Sequence, residues 1–205
     1  ILLVSNIKNE AGEHIGLADA GFTWHSDVSY RKNPSRCSLL YAKEVPHRDG
    51  KPLGETVFAN CIAAYEALPP DMKRRLDGLS AIHRYSMRRR IENSPRPKLT
   101  AAQLAETPDV AHPIVRTHPA TGRKALFLGR RRSAYVPGLS LADSETLLDA
   151  LWAHATRDEF TWYQQWRAGD LILWDNRCVM HRRDAFYPAT RRVMHRTQIK
   201  GDRPF

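Results

Sequence analysis

A mainly β fold with flanking helices is what this sequence predicts, and three observations predict it. Short apolar segments recur along the chain, among them "CSLLYAKEV", "ETVFA", "DLILWD" and "RRVMHRTQI". Gly- and Pro-rich stretches separate them, as turns between strands require. One stretch, "LADSETLLDALWAHAT", carries a long and clear helical period. Many short strands with few helices point to a β-sandwich or closed barrel decorated by helices. No internal repeat is visible.

The elements follow in order. The opening "ILLVSNIKNE" reads as a strand entered in mid-domain, with neither the basic leader nor the cleavage pattern of a signal peptide. Part of an N-terminal region is therefore expected to precede it. Residues 37–45 form a strand stopped by Pro46, and the Gly/Pro-rich 47–54 is a loop. A short strand at 55–59 runs into a helix at 60–68, with Asn60 as its N-cap. "PPDMKRRLDG" starts with prolines and ends at Gly78, as a second short helix should. Residues 79–86 read as a strand. Residues 87–110 are Arg- and Pro-rich without clean periodicity, which suggests a long surface loop and a candidate active-site lid. A strand pair around "PATG" occupies 112–128. The helix at 141–156 places Leu147, Leu148, Leu151, Trp152 and Ala155 on one stripe, with Ser140 and Asp143 resembling a capping box. "FTWYQQWR" and "DLILWD" are two strands split by Ala168-Gly169, and 191–199 alternates as a last strand. The 205 residues, 42% of them hydrophobic, are enough for one core, so 1–205 reads as a single domain.

Charge and cysteines narrow the function classes. The net charge is +10, with arginine runs at 88–90 and 130–132. No helix-turn-helix, zinc-finger or RNP-type pattern accompanies them, so they read as a solvated face or as arginines recruited for small anions, and no nucleic-acid partner is expected. A non-catalytic basic protein binding nucleic acid or another polyanion is the alternative. No apolar run is long enough to span a bilayer, so no membrane partner is expected. Three scattered cysteines without a CxxC pair argue against a disulfide framework and fit a reducing cytoplasm.

The chemistry concentrates in two stretches. In "TWHSDVSY", His25 and Asp27 are two residues apart, and in an extended chain such residues point to the same side. In "LILWDNRCVMHRRDAF", a strand ends in the turn signal Trp174-Asp175-Asn176, and His181 follows. Two histidines and one carboxylate cover one face of an octahedron and leave positions for a bidentate ligand and oxygen; zinc could also accept the set. Arg192 and Arg196 follow His181 by eleven and fifteen residues. On a strand they share a face about 13 Å apart, suited to two different anions. Trp24, Trp174 and Tyr85 are candidate walls of such a site. His14, His47, His83, His112, His118 and His154 read as structural or exposed, and Cys178 as a small buried thiol.

With "WHSD", "AKEVP", "GET", "AAYEALP", "KALF", "WDNR" and "RRVMHRTQIKGDRPF", the sequence resembles the TauD/TfdA (taurine dioxygenase-like) family of Fe(II)- and 2-oxoglutarate-dependent dioxygenases. The resemblance runs from about Gly21 to Phe205 and implies a double-stranded β-helix, a cupin-like jelly roll. It implies His25, Asp27 and His181 as iron ligands and catalytic centre. Thr56 and Arg192 would hold the 2-oxoglutarate carboxylate. Arg196 would lie near the metal, contacting the cosubstrate or an anionic substrate. Fe(II) is the implied cofactor, with 2-oxoglutarate and O₂ as cosubstrates. The implied reaction oxidises, typically hydroxylates, a small and usually anionic organic substrate and releases succinate and CO₂; a homo-oligomer is possible. Where taurine-oxidising members place an asparagine before the HxD, this chain has "AGFT", and near Gly129 it has Arg130, Arg131 and Arg132 in place of an aromatic wall. Both departures point away from taurine, and they make Tyr85, Arg130 and Arg131, with Arg196, the candidate substrate contacts.

Overall fold

A computed structural model describes residues 1–18, 20–85, 100–106, 108–129, 131 and 134–205. Its strands are β1 (Leu2–Ser5), β2 (Ser35–Glu44), β3 (His47–Arg48), β4 (Lys51–Pro52), β5 (Thr56–Asn60), β6 (Ser80–His83), β7 (Val110–Pro113), β8 (Val115–Thr117), β9 (Lys124–Leu126), β10 (Ala134–Tyr135), β11 (Thr161–Gln164), β12 (Leu171–Asp175), β13 (Val179–Arg183) and β14 (Val193–Lys200). The helices are α1 (Cys61–Glu66), α2 (Pro70–Leu76), α3 (Ala101–Glu106) and α4 (Leu141–Ala155). Two antiparallel sheets organise the molecule: a four-stranded one ordered β1-β14-β2-β12 and a three-stranded one ordered β11-β5-β13. A smaller sheet, β10-β6-β7, and the hairpins β3-β4 and β8-β9 complete the set.

Strand alternation decides what each face does. In the four-stranded sheet, Val4, Leu40, Ala42, Trp174 and Met194 pack inward with Phe58 of β5 and Trp166, so the core between the two main sheets draws on both. The opposite face leaves Tyr41, Leu171, Leu173 and Ile199 exposed. The strand β5 is buried along Thr56–Ala59 because both of its faces are covered. Phe58 faces the intersheet core, while Ala59, with Met180 of β13, faces a second core built by α1, α2 and α4. There Leu147, Leu148, Leu151, Trp152 and Ala155 of α4 pack against Ile62, Leu68 and Leu76.

The local signals act as their chemistry requires. Asn60 caps α1, its side chain accepting from the amides of Ile62 and Ala63. The Ser140 hydroxyl accepts from the Asp143 amide and donates to its carboxylate, closing the first turn of α4. Several segments differ from the sequence expectation. Residues 47–54, read as a loop, contain the short hairpin β3-β4, because the tight turn at Asp49-Gly50 lets the flanking residues pair. Residues 179–183 form a strand, although their mixed polar composition carries no strand signal. In 87–110, a short helix occupies Ala101–Glu106 and β7 begins at Val110; the remainder expected to form the lid, 87–99 and 107, lies outside the described residues.

His83, at the end of β6, is fully buried against Phe127, and neither ring nitrogen has a partner among the described residues. Burial pushes its pKa down to about 3, and nearby His112 adds to the shift. An unfolded histidine titrates near 6.5. Below that pH the unfolded chain takes up a proton that the folded chain refuses, so the stability His83 contributes is complete above about 6.5 and is lost toward 3. Between pH 7 and 5.5 the loss is on the order of 1 kcal/mol. Denaturant unfolding over that window should give a shallower pH dependence for His83→Phe; an unchanged slope would contradict the assignment.

Candidate active site

The register of the three-stranded sheet brings the first group of side chains together. Thr56 pairs with Arg183, and Phe58 with His181. These four residues therefore point to one side of β5 and β13. The opposite wall comes from Leu40, Trp174 and Arg196 of the four-stranded sheet. His25 joins through two main-chain bonds with His181, each amide donating to the other's carbonyl at 3.0 and 2.9 Å. This isolated bridge sets the rings of His25 and His181 only 4.2 Å apart.

Ligand-type atoms of His25, Asp27 and His181 lie within 4.8 Å of one another, and all three residues are buried. Asp27 Oδ1 is 3.6 Å from His25 Nε2, 3.9 Å from His181 Nε2 and 3.0 Å from Arg196 Nη2. Asp27 Oδ2 accepts a 2.6 Å bond from the Ser38 hydroxyl, which in turn accepts from Gln198. Burial raises the Asp27 pKa, but attraction to His181, the contact with His25 and the Arg196 guanidinium more than reverse this. The carboxyl ends well below the ordinary carboxylate range.

The donor chemistry fits a cation. His25 Nδ1 is 2.8 Å from the Thr23 carbonyl, which can only accept, so Nδ1 carries the proton. A neutral His25 then presents the lone pair of Nε2 toward the carboxylate oxygen that His181 Nε2 also approaches. Positive charge is needed among these atoms, supplied by a bound cation or, without one, by imidazole protons, which is the attraction that lowers the Asp27 pKa. Lone pairs gathered on one point out of water are unfavourable unless a cation lies among them. The Nδ1 bond is also the support that fixes ring and tautomer for a metal-binding histidine.

A second device holds the Asp27 backbone. The Asn176 side chain accepts from the Asp27 amide at 2.8 Å and donates to the Asp27 carbonyl at 3.1 Å and the Ser35 carbonyl at 2.8 Å. The turn residue after β12 thus clasps the loop that carries the only carboxylate of the cluster.

The pocket beside these ligand atoms is lined by Thr56, Arg183, Arg192 and Arg196, with Val4, Ala20, Gly21, Leu40 and Trp174. Arg192 is only 4% exposed, and among the described residues no carboxylate pairs with it. Burial pushes its pKa down to about 9, with repulsion from Arg183 contributing. A desolvated guanidinium of this kind calls for an anion. Its stem lies against Gly54: a Cβ there would be 3.1 Å from Arg192 Nε and 3.1 Å from a Phe186 ring carbon, and Gly54 has φ +70°. Gly54→Ala should therefore cost about 1 kcal/mol of stability from the left-handed backbone alone and raise the dissociation constant of a carboxylate held by Arg192 several-fold. Thermal unfolding with calorimetry checks both; unchanged affinity would mean the guanidinium tolerates the shift.

The sequence-predicted residues are placed unequally. His25, Thr56, His181, Arg192 and Arg196 line one pocket, and Asp27 stands against them through its contacts to His25, His181 and Arg196. Trp174 lines it too. Arg131 does not: its fork is taken by Glu145 at 2.9 Å and Asp149 at 2.6 Å, both on α4. Tyr85 is 41% exposed, edge-on to Tyr30 and outside the lining. Arg130 lies outside the described residues. Arg183, Ser38, Gly54 and Trp166 escape sequence reasoning. Arg183 is two residues beyond His181, so period-2 alternation would have flagged it had 179–183 been read as a strand.

The model of the family "Taurine catabolism dioxygenase TauD, TfdA family" matches residues 1–198. The chain is 35% identical to pentalenolactone F synthase of Streptomyces arenae, over all of this chain and 70% of that protein. It is 40% identical to the alpha-ketoglutarate-dependent 2,4-dichlorophenoxyacetate dioxygenase of Cupriavidus pinatubonensis, over 87% of this chain and 60% of that one. The crystal structure of AAD-2 in complex with Mn(II) and N-oxalylglycine matches with a TM-score of 0.80 and 33% identity, over 90% of this chain and 70% of that one. The chain thus spans 60–70% of the length of these relatives. The two main sheets are those of the family's jelly roll, the double-stranded β-helix. The chain belongs to the TauD/TfdA family of dioxygenases, enzymes whose cofactor is Fe(II) and whose cosubstrates are 2-oxoglutarate and O₂.

Proposed function

We propose that this chain carries the catalytic domain of a 2-oxoglutarate-dependent dioxygenase that oxidises a small anionic organic molecule and releases succinate and CO₂. One observation carries the reading: a buried His-Asp-His cluster and a buried arginine with no carboxylate partner among the described residues border the same pocket. His25, Asp27 and His181 would hold the iron. When bound, it supplies the redox chemistry with O₂ and the keto acid.

The chain's own residues do the rest. Arg192 offers its fork to the distal carboxylate of 2-oxoglutarate, and the Thr56 hydroxyl donates beside it. Arg196 keeps Asp27 ionised and in place through Nη2, while its Nε, without a partner among the described residues, remains as a donor for a second carboxylate or the substrate's anion. Trp174 and Leu40 wall the site and exclude water. The concentration of arginines at the pocket supports an anionic substrate, and so does the Cupriavidus relative, whose named substrate is a carboxylate. The stretch 87–110 remains our candidate for the lid.

The test is an anaerobic titration of the chain with Fe(II) and then 2-oxoglutarate. A weak visible charge-transfer band is expected, followed in air by succinate production stimulated by a member of a panel of carboxylates, sulfonates and sulfate esters. Neither band nor stimulated succinate would leave a polyanion-binding role as the surviving reading.

A further inference from the structure

Trp166 lies in the segment between β11 and β12, outside the pocket lining. It is among the largest fully buried side chains and packs in the intersheet core with Phe58 and Trp174. Its indole Nε1–H donates a 3.0 Å hydrogen bond to Thr56 Oγ1, a buried contact across 110 positions of sequence. An indole nitrogen can only donate, whereas a hydroxyl donates once and accepts twice. Trp166 therefore occupies one lone pair of Thr56 and fixes the oxygen as an acceptor on that side. The Thr56 proton has to go elsewhere. Among the described residues no acceptor takes it, and Thr56 lines the pocket that Arg192 also lines.

From this we infer that Trp166 is a positioning residue for cosubstrate recognition: its N–H takes one lone pair of the Thr56 hydroxyl and so favours the orientation in which the hydroxyl proton is offered to a carboxylate in the Arg192 pocket. The inference rests on the 2-oxoglutarate reading given above. A rotating hydroxyl could offer a lone pair or a proton to whatever entered. With one lone pair already taken by the indole, the balance shifts toward offering the proton, which favours an anion over a neutral or cationic group. Because core packing locks the indole, the hydroxyl arrives pre-set, and less ordering is left to binding.

The experiment is a double-mutant cycle read by binding, with turnover as a second measure. The chain is loaded with Zn(II), which has no redox chemistry, and titrated with 2-oxoglutarate by calorimetry. Trp166→Phe should raise the dissociation constant roughly five- to tenfold, the size of one net neutral hydrogen bond. Thr56→Ala should raise it by at least as much. Adding Trp166→Phe to Thr56→Ala should then change nothing further. With iron and air, Trp166→Phe should raise the 2-oxoglutarate KM far more than it lowers kcat.

Phenylalanine is smaller than indole, so thermal unfolding verifies that each variant is folded. Should Trp166→Phe fail to fold, site-specific replacement of Trp166 by benzothienylalanine keeps the shape and removes only the N–H. Equal weakening with and without the Thr56 hydroxyl would overturn the inference, because Trp166 would then act through packing. So would an unchanged dissociation constant in folded Trp166→Phe or in the benzothienylalanine protein. Failure of the parent chain to bind 2-oxoglutarate at all would instead bring down the underlying reading, so the two failures are distinguishable.

Discussion

An Asp27→Ala chain is expected to bind Fe(II) or Mn(II) roughly a hundredfold more weakly than the parent, or worse, since even supporting residues around a metal cost ten- to a hundredfold, and to turn over no 2-oxoglutarate. Asp27 is the only anionic member of the His-Asp-His cluster. Its removal also strands Arg196, whose Nη2 is 3.0 Å from Oδ1, beside two imidazoles. An uncompensated guanidinium there repels the cation the site should hold, so the loss exceeds that of one ligand. The clasp by Asn176 engages the Asp27 backbone amide and carbonyl and survives the substitution, so the loop should keep its place. Metal titration by calorimetry, with circular dichroism to verify the fold, checks this. Parent-like metal affinity in a folded Asp27→Ala protein would remove Asp27 from the metal site.

Arg192→Ala should raise the 2-oxoglutarate KM by roughly ten- to a hundredfold, corresponding to about 1.5–3 kcal/mol for a charge-assisted bond. Arg192→Lys should recover only part, since the ammonium keeps the charge without the fork. The burial of this residue adds a second signature. Without an anion, the guanidinium is a desolvated charge whose pKa is held down to about 9 by burial and by Arg183. Replacing such a group by an apolar side chain of similar length often leaves a protein as stable as before, or more so. Arg192→Met should thus match or exceed the parent's melting temperature in the absence of cosubstrate while binding the cosubstrate poorly. Arg196→Ala should mainly uncouple decarboxylation from substrate oxidation, read by measuring succinate and oxidised product together. A raised KM in Arg196→Ala with none in Arg192→Ala would reverse the two roles.

Legibility in the sequence followed the kind of force involved. The α4 stripe and its Ser140 cap, β5 with the Asn60 cap, and the alternation of the last strand are local patterns, and they form where they are written. β13 is not written locally. Its strand character comes from pairing with β5, and its inward residues His181 and Arg183 are polar because the space they face is polar. The candidate metal ligands and Arg192 were legible as residue types at ordered spacings, strengthened by the family resemblance. Substrate contacts were not, because a sequence shows a charge without showing its partner. Arg131 is the clearest case: Glu145 and Asp149, one helical turn apart on α4, hold its fork away from the pocket. Ser38 and Trp166 were equally hidden, since each acts on a group more than ten positions away through a single bond.

The Asn176 clasp joins segments 149 residues apart, and the candidate ligands His25 and Asp27 sit at one end of that span with His181 beyond the other. An unfolded chain scatters these donors, so only the folded form can gather them. Metal uptake and folding are then thermodynamically linked: metal at a hundred times its dissociation constant adds about 2.7 kcal/mol to the stability of the folded state. Removing it with a chelator should lower the melting temperature by several degrees and increase susceptibility to proteolysis. Iron supply would thereby govern how long the protein lasts as well as how fast it works, and a chain starved of metal would be cleared sooner by the cell's proteases.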